Sequence, residues 1–146
     1  MAALICLVAA FIVLRLVGIF IPWLSDWQHA LRGALGAMFL LTASAHWGRR
    51  RTDLVRMVPV GIGNPAVWVT FTGCAEIAIA AGLQIPRLAL WTAAAAVVML
   101  CCLFPANAKA AREQLTILRK PVLPFLQRLI LQLIYLGALI ASVWRR

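Results

Sequence analysis

Arg15 and Glu76 each stand inside a long apolar run of the 146-residue chain, at residues 2–24 and 66–83 respectively. An unpaired ion at a bilayer centre costs at least ~2.5–3.5 kcal/mol on insertion scales, so two such groups need partners or a task. If both runs rise from the same face, helical rise puts Arg15 about 20 Å and Glu76 about 15 Å deep, level enough to pair. An arginine partner would keep Glu76 ionised, and without one the carboxyl is expected neutral. Thr72, one turn before Glu76, can add a hydrogen bond, and Gly73 beside it admits close approach of a backbone or a ligand. The pair reads either as a polar clasp between helices, worth ~0.6–2 kcal/mol, or as part of a ligand, proton or ion route.

Further polar groups gather at the ends of other apolar runs. His46 closes the second run beside Trp47, with Thr42 one turn before it on the same face. An imidazole there is either an interfacial belt residue or a group that passes protons between water and the interior. Phe104-Pro105-Ala106-Asn107 follows the fourth run. Pro105 disfavours helical geometry at Phe104 and strips a donor from the preceding turn, which Asn107 can replace. The last run opens on Gln127 and Arg128, with Gln132 one turn further in, a polar face that calls for a partner or a ligand. Cys6, Cys74, Cys101 and Cys102 lie in apolar runs without redox or zinc spacing and read as small hydrophobes. No metal site is expected, because His29, the only other histidine, belongs to the opposite membrane face.

These groups need elements that hold them in an apolar solvent. The chain is 64% hydrophobic and only 12% charged, with a mean hydropathy of +0.96. A small water-soluble domain has too little interior for that much apolar side chain. Fourteen basic against four acidic residues give a net charge of +10, but the arginines are scattered between apolar runs, which argues against nucleic acid. Anionic lipid headgroups suit them better.

Five apolar segments, at 2–24, 30–47, 66–83, 88–104 and 126–144, approach the length that crosses a bilayer. The first lacks a basic flank and a cleavage signal, and is read as a retained helix. Gly48-Arg49-Arg50-Arg51 and the breaker-rich stretch from Pro59 to Pro65 join the second segment to the third, and Gln84-Ile85-Pro86-Arg87 turns into the fourth. Ala108, Ala111, Leu115 and Leu118 alternate with basic residues at helical spacing, which predicts a short helix lying in the interface after the fourth. Arg49, Arg50, Arg51, Arg56, Lys109, Arg112, Arg119 and Lys120 share one side, with Arg128 close by, against Arg32, Arg87, Arg145 and Arg146 on the other. The positive-inside rule makes the first side cytoplasmic, with the N-terminus inside and the C-terminus outside.

The ordered motifs resemble the DoxX-like family of small membrane proteins. They are His46-Trp47, Met57-Val58-Pro59, Thr72-Gly73 with Glu76-Ile77, Gly82-Leu83 with Ile85-Pro86, Phe104-Pro105-Ala106-Asn107, and Arg128-Leu129-Ile130-Leu131-Gln132. The resemblance covers residues 30–144, and the helix before it looks like an extra N-terminal span found in some members. Trp47, Val60 and Ile130 depart from the family pattern, where Phe, Pro and Pro are common. The family takes its name from a membrane subunit of a thiosulfate-to-quinone oxidoreductase, and most members have no assigned activity. Carried over, the pattern points to His46, Glu76, Asn107 and Gln132 without naming a substrate.

The expectation is an all-α, multi-pass transmembrane bundle in one domain over 1–146, with a DoxX-like four-helix core at 30–144 and an extra helix at 1–24. The resemblance implies an accessory or anchor subunit of a quinone-linked redox system in the bacterial cytoplasmic membrane. No haem or flavin motif is present, so electrons would come from a partner enzyme. A small proton- or cation-coupled transporter, for which a homo-oligomer could supply the missing inverted repeat, and a non-enzymatic assembly or lipid-binding protein are the alternatives. Candidate binding or proton-relay residues are Arg15, His46, Glu76, Asn107, Arg128 and Gln132.

Overall fold

The computed structural model describes residues 1–59, 61, 63–118 and 120–144. Val60, Ile62, Arg119, Arg145 and Arg146 lie outside the described residues, and with them three of the basic residues weighed for orientation and one departure from the family pattern.

Among the described residues seven helices follow one another: α1 (Ala2–Val17), α2 (Pro22–Ser25), α3 (Trp27–Ser44), α4 (Arg51–Met57), α5 (Pro65–Gly82), α6 (Ala89–Arg112) and α7 (Phe125–Val143). A two-residue ladder, β1 (Thr116–Ile117) against β2 (Lys120–Pro121), separates the last two. Local chemistry starts the long helices. The Asp26 carboxylate accepts from the Gln28 N–H at 2.9 Å to cap α3, and the Asn64 side chain accepts from the Ala66 N–H at 2.9 Å to cap α5, with Pro65 at its first position.

α3 packs on α5 and α7, and α6 packs on α5 and α7, so the four close a ring, while α1 lies against α3. Ala34, Leu35, Met38 and Phe39 of α3 meet Ile79 and Ala80 of α5, Leu83 just after it, Ala93 and Ala96 of α6, and Leu139 of α7 in one cluster. The alanines of α6 recur every three or four residues, which lets this helix approach its neighbours closely. Among the described residues three helices, α5, α6 and α7, are long and apolar enough to cross a membrane; α1 is a shorter apolar helix. All six tryptophans are exposed, at 44–74% of their surface. Trp23, Trp27, Trp91 and Trp144 stand at or beside helix ends on one side, and Trp47 and Trp68 at the other.

Three expectations about the elements are corrected. The first apolar run is broken: α1 stops at Val17 and α2 begins at Pro22, so the run to residue 24 is not one helix. The fourth helix does not stop before Pro105 but continues through it to Arg112. Tertiary contact holds it there, because Ala110 is fully buried and Lys109 Nζ donates to the Arg56 and Val58 carbonyls at 3.1 and 3.0 Å, tying the last turns of α6 to α4. The interfacial helix expected as far as Arg119 is instead the end of α6 followed by the ladder, where Leu118 has a φ of 51° and its N–H donates to Asp53 Oδ2 at 3.0 Å. β-branched Thr116 and Ile117 and the following Pro121 favour extended backbone over another helical turn.

Candidate functional site

α3 ends at Ser44, and the chain makes a tight turn in which the Ala45 and His46 N–H groups donate to the Thr42 and Ala43 carbonyls. This turn carries the His46 ring inward, where it is 8% exposed. Its Nδ1 lies 3.2 Å from the Thr42 carbonyl and 3.7 Å from Glu76 Oε2 on α5. Glu76 is 6% exposed, and its Oε2 has no hydrogen-bond partner among the described residues. The Thr42 side chain lies against the same carboxyl, while its hydroxyl donates to the Phe39 carbonyl at 3.0 Å. Thr72 turns to its own helix, donating to the Trp68 and Val69 carbonyls.

Gly73 makes this approach possible. A Cβ there would sit 2.7 Å from His46 Cβ and 2.8 Å from the Trp47 ring, closer than real carbons come. The missing side chain is the slot into which the end of α3 fits, one turn before Glu76.

A second polar group forms where α6 meets α7. Arg128 Nη1 donates to Asn107 Oδ1 at 2.6 Å, and its Nε donates to the Leu123 carbonyl at 3.2 Å. Asn107 therefore serves α7 rather than the carbonyl freed by Pro105. One turn further in, Gln132 is 8% exposed and its Nε2 has no partner among the described residues.

The two groups share a depth. At the far end of the bundle, Arg32 Nε donates to the Ser142 carbonyl at 2.9 Å, and the Gln28 amide donates to the Ala141 and Trp144 carbonyls. α7 runs antiparallel to α3 from that anchor, so about 15 Å further along each helix Gln132 comes level with Thr42. An acceptor on α5 and a donor on α7, both buried and both unsatisfied, thus occupy one tier of an otherwise apolar ring. Such orphans are costly in any dry interior.

Arg15 does not join this tier. Its guanidinium is exposed and donates through Nη1 to the Ser25 carbonyl in α2, at the end of the bundle away from His46. The expected pairing of Arg15 with Glu76 is thereby corrected. α1 packs on α3 rather than on α5, and a long arginine stem carries its charge to the helix-end carbonyls, where it also complements the C-terminal dipole of α1. His46, not Arg15, is the neighbour of Glu76.

Arg51, one of the basic residues that set orientation by the positive-inside rule, is also an architectural centre. From the first residue of α4 it donates to the His46 carbonyl at 2.8 Å, to the Ala66 carbonyl at 3.1 Å and to Thr70 Oγ1 at 2.9 Å. Arg49 and Arg50 beside it are exposed, and nothing in a run of three arginines tells which one turns inward. Among the described residues no three His, Cys, Asp or Glu side chains are grouped to hold a metal ion, and the four cysteines are free.

Residues 35–145 match the sequence profile of a family described as "Domain of unknown function (DUF8561)", a span that includes His46, Glu76, Asn107, Arg128 and Gln132 and excludes Arg15. No curated protein and no solved structure matches the chain.

Proposed function

For a chain that belongs to the family described as a domain of unknown function, DUF8561, we propose a DoxX-like integral membrane protein of five spans that holds the headgroup of a quinone or similar amphiphile. It would serve as an accessory or anchor subunit of a redox system in the bacterial cytoplasmic membrane. The observation that carries the reading is the tier of unsatisfied polar atoms, Glu76 Oε2 and Gln132 Nε2, with His46 against the carboxyl.

The five-span reading is supported by the tryptophans. Trp27 opens α3 and Trp47 stands in the turn after it, and the 18 residues of α3 rise about 27 Å, close to the ~30 Å of a bilayer's hydrocarbon core. Two aromatic belts at that separation would mark the two interfaces, and α3, though it carries Gln28, His29 and Arg32, would cross between them as the hub of the ring. A quinone presents carbonyl acceptors, and its reduced form hydroxyl donors. The Gln132 amide suits the first, the Glu76 carboxylate the second, and the imidazole can hold or pass a proton at Nδ1. The electrons would come from a partner enzyme. Asn107 and Arg128 would close the cytoplasmic mouth below the headgroup.

Two results are expected. Reporters fused after Arg51 and after Lys120 should read cytoplasmic and one at the C-terminus periplasmic, since the basic residues crowd one side; a cytoplasmic C-terminus overturns the five-span topology. A soluble short-chain quinone should raise the melting temperature of the detergent-solubilised protein in a concentration-dependent way. Gln132→Leu should weaken that binding by about 1–3 kcal/mol, the cost of one lost buried hydrogen-bond partner. A wild-type protein whose melting point ignores the quinone removes the redox reading and leaves an assembly or lipid-binding protein.

One observation favours a second reading. Among the described residues Glu76 has no arginine in ion-pair distance, so it could exchange a proton for a cation in a small coupled transporter. Cation efflux from vesicles that disappears in Glu76→Gln while the protein still inserts would select this reading over the first.

A further inference from the structure

Among the described residues no carboxylate neutralises the charge of Arg51. Of its five N–H groups, three are spent on the His46 and Ala66 carbonyls and on Thr70 Oγ1. The other two have no partner among the described residues, and no carboxylate there lies within 4.0 Å of it. The nearby Asp53 is engaged elsewhere, with Arg56 at 4.0 Å and the Leu118 N–H at 3.0 Å. A half-buried guanidinium bound only to neutral oxygens keeps its full attraction for an anion.

Arg51, whose guanidinium bonds Ala66 and Thr70, lines an open groove of about 400 Å³ together with Ala66, Val67, Thr70 and Phe71 on the first turns of α5. Val67 and Phe71 are 62% and 61% exposed, too apolar for open water. Phe71 meets the Trp68 ring edge-on at a centroid distance of 5.9 Å, and Trp47 packs over Gly73 one turn deeper. A cation at the mouth, an apolar wall running inward and aromatic rings beside it together match an amphiphile with an anionic head, lying at the membrane interface with its tail along α5.

We infer that the groove between α4 and α5 is a specific site for one anionic phospholipid, its phosphate on the Arg51 guanidinium and an acyl chain against Val67 and Phe71. Charge complementarity selects this occupant over a zwitterionic lipid, whose own cation would offset the attraction. The inference rests on the membrane placement proposed above and is independent of the quinone reading. A lipid seated there would brace the Arg51 contacts that join the turn after α3 to α5, and so bear on how His46 is held.

Native mass spectrometry of the full chain in detergent, titrated with phosphatidylglycerol or with phosphatidylcholine of matched chains, tests the site. One phosphatidylglycerol should be retained about tenfold more strongly than phosphatidylcholine, because both present the phosphate but only phosphatidylcholine carries a cation that offsets its attraction to the guanidinium. Arg51→Gln should abolish the preference, and Val67→Trp, which fills the groove without touching the guanidinium, should abolish it too. The double variant Arg49→Gln, Arg50→Gln should keep it, since those side chains lie outside the groove. Equal retention of the two lipids by the wild type overturns the site. So does a preference that survives Val67→Trp, or one lost with Arg49 and Arg50, which would mark diffuse attraction to the arginine cluster. Should Arg51→Gln fail to fold, Val67→Trp decides alone. Retention of neither lipid overturns the site together with the membrane placement.

Discussion

His46→Leu is expected to lower the stability of the detergent-solubilised protein by about 1–3 kcal/mol, because it leaves the buried Glu76 carboxyl facing apolar side chains. Glu76→Leu should cost a comparable amount by stripping the imidazole of its acidic neighbour, 3.7 Å away. The double variant is the informative one. With both polar groups replaced by side chains that suit an apolar bundle, it should be more stable than the sum of the two losses requires, giving a coupling energy of roughly 0.5–3 kcal/mol. Denaturation in mixed micelles, followed by helical circular dichroism, reads all three. Strictly additive losses would show that His46 and Glu76 are neighbours without being partners. Arg15→Leu should leave the cycle unchanged, since its guanidinium is committed to the Ser25 carbonyl at the other end of the bundle.

Gly73→Ala should be strongly destabilising. The new Cβ would lie 2.7 Å from His46 Cβ and 2.8 Å from the Trp47 ring. His46 Cβ is attached directly to the backbone and cannot swing aside, so relief requires the end of α3 to move away from α5. Overpacking of this kind costs typically 1–3 kcal/mol and occasionally more, and it would also pull His46 from Glu76. Gly137→Ala in α7 is the matched control: nothing lies within 4 Å of a Cβ there, so the change should be neutral or should stabilise the helix slightly. Both substitutions make the same change in intrinsic helix propensity, and any difference between them therefore reports packing. A Gly73→Ala protein as stable as the control would mean that α3 and α5 are not held as closely as the structure has them. The same variant should also lose any quinone-induced stabilisation, since the polar tier depends on that contact.

The chain by itself determined most of its helices, three of them long and apolar enough to cross a membrane. Apolar runs at 30–47, 66–83 and 126–144 correspond to α3, α5 and α7 within three residues at each end, because continuous apolar sequence bounded by Asp26, Asn64-Pro65 and Pro124 leaves a helix few other boundaries. It also singled out Glu76, His46 and Gln132, since a polar side chain inside an apolar run stands out without any structure. Partners were another matter. Depth along a helix can be estimated from residue number, and on depth alone Arg15 and Glu76 looked level. Which face of a helix meets which neighbour depends on the order of packing around the ring, and α1 lies on α3 rather than α5. Tertiary structure likewise carried α6 through Pro105, where the burial of Ala110 and the Lys109 tie to α4 outweigh the local preference to stop. It also picked Arg51 from three consecutive arginines, because only the turn between α3 and α4 decides which guanidinium points at the His46 carbonyl. Spacing records where a residue lies along its own helix, whereas its angle around the helix and the identity of its neighbour are set by contacts between segments far apart in the chain.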